Sequence, residues 1–437
     1  MRHETLSPLD DRYKDKTADL LRFFSGSAQT RLKAQIEIDY FISLMGILGI
    51  DLDIEDLSGL GDLRSRIDVD RIDDIERDTR HDIKAIEIYL AEEFKKIGKL
   101  GDLIQFIHFG LTSQDINSVA TSLSVKGYNE TIVIPLFDNL TACLCEFADK
   151  CDTTIPARTH GQIAVPTSLK KEILVFYNRV KEQARLLRKL EIRCKFGGAV
   201  GNLTAHKIAY PDIQWDDFMT RFCKERGLRR NSVTTQVDNN DWLAEYMQIT
   251  ARLNGIMLDL CRDMWLYMSF GYFKKQVTRG EVGSSTMPQK INPIEFENAE
   301  GNLEISNALL NFMSGKLQIS RLQRDLTDTT VIRNLGVPFG HTVVAMTSIV
   351  SGISKLQPNL GAIRRDLYAH PEMIAEAIQT ILRSAGVKNA YDLTKFLSRD
   401  GEVSSDKIET LLSTLNVDEQ VKDRIRRLDI DSLVRHV

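Results

Sequence analysis

The chain has 437 residues, of which 43% are hydrophobic and 27% are charged. This length exceeds what one compact hydrophobic core usually supports. It therefore excludes a lone small domain and indicates two or three subdomains, or an elongated domain completed by partner subunits. The formal net charge of -4 argues against a general nucleic-acid-binding protein, although local basic clusters could still bind an anionic small molecule.

The N-terminal sequence and the cysteines bear on the cellular compartment. The opening residues Met-Arg-His-Glu-Thr-Leu-Ser-Pro contain no apolar segment of signal-peptide length, and no uninterrupted apolar stretch is long enough to span a bilayer. The six cysteines form neither a zinc-site spacing nor a redox Cys-x-x-Cys pair, so they are expected to be ordinary free thiols. We expect a cytoplasmic protein with no membrane partner.

The distribution of glycine and proline favours helices. The chain has 26 glycines and 10 prolines, and long stretches contain neither residue, which predicts an all-α fold. We divide it into an N-terminal helical region (1–100), a central long-helix bundle (101–353) and a C-terminal helical region (354–437). No repeat of fixed period and no Pro/Ser-rich linker marks these boundaries.

Two polar motifs come first along the chain. In Arg-His-Asp-Ile-Lys-Ala-Ile-Glu (80–87), His81 and Glu87 each lie one helical turn from Lys84, a spacing that a solvated, ion-paired helix face also explains. In Phe-Ile-His-Phe-Gly-Leu-Thr-Ser-Gln-Asp-Ile-Asn (106–117), Thr112 or Ser113 is predicted to cap a helix N-terminus. Hydroxyls and free amides at such a terminus can also hold a carboxylate or a phosphate.

A third motif, Ala-Arg-Thr-His-Gly-Gln (157–162), precedes a predicted amphipathic helix at 167–194. This order places His160 near the start of that helix rather than in its apolar stripe. A lone histidine there is compatible with a structural role. Imidazole is also the side chain best suited to proton transfer near neutral pH.

Two further long helices are predicted at 241–270 and 294–321, each about 40 Å long. Such helices must bury their apolar faces against one another, so a bundle shared between subunits is expected. The loop Gly-Ser-Ser-Thr-Met-Pro-Gln-Lys-Ile-Asn-Pro (283–293) lies between them. Gly-Ser-Ser alone is typical of a flexible linker, but the prolines, Lys290 and Asn292 that follow favour a loop that closes over a substrate.

This loop resembles the signature of the fumarase/aspartase superfamily, and the segments at 112–115 and 159–162 are similar to the other two regions of that superfamily. Within it the chain resembles the bacterial-type adenylosuccinate lyases, from Ser-Pro-Leu-Asp-Asp-Arg-Tyr (7–13) into the C-terminal third. The run 321–334 is similar to their nucleotide-phosphate-binding segment. Residues 198–202, His206 and 234–236 also resemble that branch.

The resemblance implies a β-elimination that releases fumarate from a small succinyl-nucleotide: adenylosuccinate, giving AMP, and SAICAR, giving AICAR, in purine nucleotide biosynthesis. It implies no metal and no organic cofactor, no nucleic-acid partner, and a homotetramer with shared active sites. The catalytic residues it implies are His160 as general acid, Ser284 as general base, His81 and Lys290. The substrate-binding residues it implies are Arg12, Tyr13, His81, Asp82, Lys84, Thr112, Ser113, Gln236, Asn292, Arg324, Thr329 and Arg333.

The sequence departs from the adenylosuccinate lyase pattern at three positions. Gln289 stands where many members have histidine, Asp11 where some have glycine, and Thr329 where a phosphate-binding serine is common. Because Gln289 is also found in argininosuccinate lyases, a lyase of that kind is the enzymatic alternative. A catalytically silent protein similar to the lens crystallins of this superfamily is the other alternative, and the presence of His160, Ser284 and Lys290 argues against it.

Overall fold

The computed structural model describes residues 5–276, 287, 290–398 and 403–437. Helices dominate this part of the chain, so the predicted all-α class is confirmed. The helices are α1 (Lys14–Thr17), α2 (Leu21–Phe24), α3 (Gly26–Leu48), α4 (Ile54–Ser65), α5 (Val69–Thr79), α6 (Asp82–Phe94), α7 (Ser113–Tyr128), α8 (Ile134–Lys150), α9 (Leu169–Lys189), α10 (Thr204–Ala209), α11 (Trp215–Glu225), α12 (Asp241–Ser269), α13 (Ile294–Lys316), α14 (Thr327–Ile332), α15 (Gly336–Ser354), α16 (Leu360–Tyr368), α17 (Ala375–Ser384), α18 (Ala390–Ser398), α19 (Ser405–Thr414), α20 (Glu419–Arg426) and α21 (Ile430–Val434).

Six short strands form three two-stranded sheets in the described residues. The first is an antiparallel hairpin, the second a parallel pair and the third an antiparallel pair. Short 3₁₀ segments and a π-helical segment, Asn129–Val133, connect some of the helices. The strands are β1 (Thr154–Thr159) with β2 (Gln162–Ser168), β3 (Arg193–Lys195) with β4 (Arg229–Asn231), and β5 (Phe273–Lys275) with β6 (Leu356–Pro358).

The predicted long helices are present, with corrected ends. The helix predicted at 167–194 is α9 and stops at Lys189, because residues 193–195 pair with β4 and Arg193 O accepts a hydrogen bond from Ser122 Oγ. The helix predicted at 294–321 is α13 and ends at Lys316; just beyond it, Leu317 O accepts a hydrogen bond from Asn240 Nδ2. Helix α12 agrees with the prediction to within one residue.

The chain forms two compact units, each assembled from three segments. The first unit contains Met1–Asp138, Lys181–Leu258 and Ala299–Thr347; the second contains Asn139–Val180, Asp259–Asn298 and Ser348–Val437. One core of the first unit includes buried aromatic side chains, and Phe196 stacks on Phe222 with ring centroids 4.8 Å apart. A core of the second unit is built from buried residues between positions 367 and 430, such as Ile378 and Leu411. The three-region division by sequence stays a prediction.

In the described part of the chain, two helical stretches are long and apolar enough to cross a membrane by length and composition. They are Ser113–Lys150 and Thr327–Ser354, with mean hydropathies of 1.4 and 1.3 in their most apolar windows. Neither stretch was predicted from the sequence. Of the second window, 72% is buried inside the protein, and buried core helices have the same apolar composition as membrane spans.

Candidate active site

The N-terminus of helix α7 is fixed by one buried carboxylate. Thr112, one of the two predicted caps, is the N-cap, and its backbone N–H donates to Asp115 Oδ2 at 2.8 Å in a capping box. Asp115 Oδ1 also accepts from the backbone N–H of Gly197 at 2.6 Å and lies 2.7 Å from Lys195 Nζ. Both side chains of this ion pair are fully buried. Asp115 therefore joins the start of α7 to the loop that follows β3.

The histidine that the sequence analysis grouped with this loop has a structural environment. His206 is fully buried, its Nε2 lies 3.1 Å from Tyr40 Oη, and burial lowers its pKa to about 4. Gly110 has a φ of +68°, and a Cβ there would lie 2.5 Å from the His206 ring. The neutral imidazole thus packs against the backbone that leads into Thr112.

His81 and Ser113 meet at the adjacent N-termini of two helices. His81 is the N-cap of α6, and its Nδ1 accepts a hydrogen bond from the Lys84 N–H at 3.2 Å. In the neutral ring this leaves the proton on Nε2, which faces Ser113 Oγ at 3.5 Å. Two predicted binding residues thus lie side by side, and the His81 tautomer is set by the backbone of α6.

The charged neighbours of His81 are already paired. Lys84 Nζ lies 2.8 Å from Glu87 Oε2 on the helix surface, as the generic explanation of this motif requires. Asp82 Oδ2 lies 2.8 Å from Lys33 Nζ. Burial alone would raise the pKa of Asp82, but the Lys33 ammonium outweighs burial and lowers it. Asp82 is therefore an anion at neutral pH, and its carboxylate acts as a hydrogen-bond acceptor.

Three other predicted binding residues form a second group. Gln236 Nε2 donates to the Ala199 carbonyl at 2.9 Å, in the loop that Asp115 holds. Arg324 Nη1 lies 3.4 Å from Gln236 Oε1, and Arg324 Nη2 lies 3.5 Å from Thr329 Oγ1. These long bonds leave the guanidinium able to turn toward a stronger acceptor. Asp115 and the 197–199 loop connect this group to the α7 N-terminus.

Thr329 of the second group and the sequence neighbours of His81 and Ser113 line one cavity in the first unit, which has a volume of about 370 Å³. Asp82 and Gln114 line it near the helix N-termini, and Thr329 and Arg333 line it near the second group. Hydroxyl and amide side chains such as Thr30 and Asn117 provide further polar lining. The cavity is therefore suited to a polar, partly charged small molecule.

Arg12 and Tyr13 belong to an N-terminal segment that packs on helix α15. Thr17 Oγ1 donates to Leu9 O at 2.8 Å, and a Cβ on Gly340 would lie 2.9 Å from the Leu9 side chain. Helix α15 begins at Gly336, shortly after Arg333. The side chain of Arg12 is exposed, and Tyr13 is the N-cap of α1.

In the second unit, His160 lies at the tip of the β1–β2 hairpin, so its predicted position near a helix start is wrong. Thr159 pairs with Gln162, and the two residues between them have positive φ angles, 53° for His160 and 75° for Gly161. This is typical of a two-residue hairpin turn, and the flanking Thr, Ile and Val residues favour strands. Helix α9 begins only at Leu169. The turn leaves the His160 side chain exposed.

The end of the signature loop is held at the start of α13. Lys275 Nζ donates to the Asn292 carbonyl at 3.2 Å and pairs with Glu295 at 2.8 Å, and Glu295 pairs with Lys355 at 2.7 Å. The Lys290 side chain is exposed. The predicted base, Ser284, lies outside the described residues, as does Gln289.

Lys195 supports the site but was not predicted from the sequence. A lysine between Cys194 and Phe196 gives no motif, and only its burial beside Asp115 reveals its role. The apolar residues around Lys195 in the sequence were the available signal, because burying a lysine among them is costly unless the lysine is paired.

Comparison with known proteins agrees with the motifs. A family described as "Lyase" matches residues 54–304, and one described as "Adenylosuccinate lyase C-terminal" matches residues 320–434. An adenylosuccinate lyase of Dictyostelium discoideum is 42% identical over 96% of this chain and 94% of its own length. Those of Legionella pneumophila (strain Corby) and Escherichia coli (strain K12) are 40% and 37% identical, each over 97% of this chain and 94% of its own length.

Solved structures support the fold. A fumarate lyase from Mesorhizobium sp. BNC1 superposes with a TM-score of 0.74 at 19% identity, covering 97% of this chain and 98% of that one. A 3-carboxy-cis,cis-muconate lactonizing enzyme from Pseudomonas putida also gives 0.74, at 17% identity, covering 94% and 92%. With both family matches and relatives of this identity over nearly the whole length, the chain belongs to the adenylosuccinate lyase family of the fumarase/aspartase superfamily.

Proposed function

We propose that this chain is a carbon–nitrogen lyase that cleaves adenylosuccinate into fumarate and AMP, and SAICAR into fumarate and AICAR. The observation that carries the proposal is the group formed by Arg324, Gln236 and Thr329. It brings together a guanidinium, an amide and a hydroxyl, and Thr329 lines the cavity of the first unit. Guanidinium groups suit phosphate because their donors are forked, and fumarase and aspartase substrates carry no phosphate.

The reaction is a β-elimination. A base removes a carbon-bound proton next to a carboxylate, and the C–N bond then breaks as the leaving nitrogen receives a proton. Ser284 is the proposed base and His160 the proposed acid. An ordinary serine is too weak a base, so Ser284 must react as an alkoxide stabilised by loop N–H groups and by cations such as Lys290.

The succinyl carboxylates are proposed to lie at the α7 N-terminus. Thr112 and Ser113 offer hydroxyls there, and the helix dipole favours an anion. Gln236 approaches from the Ala199 loop, and Lys290 and Asn292 are the proposed contribution of the signature-loop segment. His81, with its proton directed at Ser113, is proposed to stabilise the same charge, with Asp82 and Lys84 beside it.

The nucleotide phosphate is proposed to bind at Arg324, Thr329 and Arg333, with Arg12 and Tyr13 from the N-terminal segment. That segment packs on α15, the helix that follows Arg333, which supports the assignment. Thr329 keeps the hydroxyl that serine supplies in other members, so the departure at this position preserves the donor.

We also propose a cytoplasmic homotetramer whose sites combine residues of three subunits. Long helices of the single chain expose apolar side chains, including Trp265 on α12 and Phe312 on α13, which are 43% and 57% exposed. Large exposed apolar residues on long helices favour burial against another copy.

A direct assay tests the activity. The purified chain is incubated with adenylosuccinate, argininosuccinate or malate, and fumarate is followed by its ultraviolet absorbance. We expect fumarate from adenylosuccinate alone, because only that substrate matches both the carboxylate and the phosphate groups. Release from argininosuccinate would favour the lyase alternative that Gln289 permits, and no release from any substrate would favour the silent protein.

Arg324→Met is expected to raise KM for adenylosuccinate by about 10- to 100-fold, the effect of losing a charge-assisted hydrogen bond. The matched control is Arg321→Met in the same segment, because Arg321 is 80% exposed and pairs only loosely with Asp325, at 3.7 Å. Steady-state kinetics of both variants check this. Equal KM values for the two variants would contradict the phosphate assignment.

A further inference from the structure

The hairpin that carries His160 packs on the C-terminal part of the second unit. Strand β1 contacts α16, and β2 contacts the 3₁₀ segment Pro371–Ile374 and α21. The pairing register of the hairpin shifts between Pro156 and Arg158, which marks a β-bulge. Bulges re-aim the side chains of a strand. Arg158 lies next to this bulge, two residues before His160.

Arg158 is held by a carboxylate far away in the sequence. Its Nη2 donates to Asp366 Oδ2 at 3.0 Å, across 208 positions of chain, and its guanidinium lies over the Phe270 ring at 4.6 Å. Tyr272 Oη donates to the same carboxylate oxygen. Burial alone would raise the pKa of Asp366, but these hydrogen bonds, with the charge of Arg158, lower it.

The same carboxylate continues into the C-terminal segment. Asp366 Oδ1 lies 3.4 Å from His370 Nε2, and His370 Nδ1 lies 2.8 Å from Glu372 Oε1. Asp366 thus has a cationic partner on the hairpin and a histidine partner, His370, that directly precedes the 3₁₀ segment against which β2 packs. Its two oxygens have different partners, so the carboxylate orientation is fixed on both sides.

We infer that Asp366 and Arg158 are positioning residues for the general acid: they set the direction in which the hairpin presents His160. This inference rests on the proposed role of His160. A two-residue turn offers few contacts of its own, and the His160 side chain is exposed, so local packing does not determine where the imidazole points. The bulge and the Arg158–Asp366 pair are the nearby features that determine the direction of the imidazole.

The expected consequence is a loss of rate without a loss of binding. A proton donor displaced by about 1 Å can cost about 100-fold in rate, whereas substrate affinity depends on other groups. Neither Arg158 nor Asp366 is among the residues proposed to hold the carboxylates or the phosphate. Tyr272→Phe removes one donor to Asp366 and leaves the Arg158 pair in place, so it should have a smaller effect of the same kind.

The test is a double-mutant cycle with His160. Asp366→Asn and Arg158→Lys are expected to lower kcat about 10- to 100-fold with KM within about threefold of wild type. In the His160→Ala background, where no acid remains to be positioned, the same substitutions should lower the residual kcat less than twofold. Single-turnover fumarate release at high enzyme concentration measures these residual rates. An equal loss of kcat in both backgrounds would indicate a merely structural role and would overturn the inference.

The matched control is Arg226→Lys. Arg226 also pairs with an aspartate, Asp39, at 3.3 Å and stacks on a phenylalanine, Phe222, at 3.6 Å, with similar side-chain exposure, but in the first unit. Its kcat should equal that of wild type.

Unchanged kcat in Arg158→Lys and Asp366→Asn, with wild-type activity intact, overturns the positioning role alone. A wild-type chain that does not cleave adenylosuccinate overturns the proposed function as well. Circular dichroism confirms folding, and Tyr272→Phe provides the readout if Asp366→Asn does not fold.

Discussion

Replacing Lys195 by methionine is expected to lower the free energy of unfolding by about 3 to 5 kcal/mol, because it removes one partner of a fully buried ion pair. The Lys195 ammonium also donates to the Gly198 carbonyl at 2.5 Å, so that carbonyl loses a donor as well. Asp115 keeps the N–H groups of Thr112, Gly197 and Gly198, which places the expected loss toward the lower end. Methionine nearly matches the lysine side chain in length, so little of the effect is due to a cavity.

The control is Lys207→Met, and urea unfolding at one fixed protein concentration is the measurement. Lys207 also pairs with an aspartate, Asp216, at 2.9 Å, but both side chains are at least half exposed. Its removal should cost less than about 1 kcal/mol. Because Asp115 also holds the loop at Ala199, Lys195→Met should raise KM for adenylosuccinate. Equal losses of stability in the two variants would contradict the role given to the buried pair.

The structure shows why some elements followed from the sequence. Helix α12 was predicted to within one residue because its apolar spacing continues for 29 residues, and over that length a helical period is unambiguous. The stretch after α9 was predicted as helix because Leu190 and Cys194 continue the same spacing. Its hydrogen bonds to Ser118 and to strand β4, distant in the sequence, outweigh that local preference.

Some features of the candidate site were likewise predicted from the sequence, and others were not. The cap was predicted at Thr112 or Ser113, and Thr112 is the N-cap; the prediction was possible because the capping interaction is local, extending over three residues to Asp115. His160 was found by its motif but placed on the wrong element, because a two-residue turn in a short hairpin is a weak signal beside a long helix. The pairs Lys195–Asp115 and Arg158–Asp366 join residues 80 and 208 positions apart, and single residues without a motif do not reveal such contacts.

Chains that carry Ser284→Ala and chains that carry His160→Ala are each expected to lose about 1,000-fold or more in kcat, and to regain activity when mixed. If the acid and the base of one site come from different subunits, random hybrid tetramers have both intact at about a quarter of their sites. The regained activity should therefore approach about a quarter of the wild-type value. Native mass spectrometry confirms that subunits have exchanged, and the fumarate assay measures the activity.

The control mixes the Ser284→Ala chain with a Ser284→Ala/His160→Ala double variant, a pair that contains no intact Ser284 and should regain nothing. Exchange without recovery in the first mixture would contradict shared sites. The exposure of the proposed groups in one chain is the physical reason to expect recovery: His160, Lys290, Arg12 and Arg333 all face solvent. Stabilising a doubly charged intermediate requires cations and donors in a site that excludes water. A partner subunit that covers these side chains would provide that exclusion, and it would make each site depend on more than one chain.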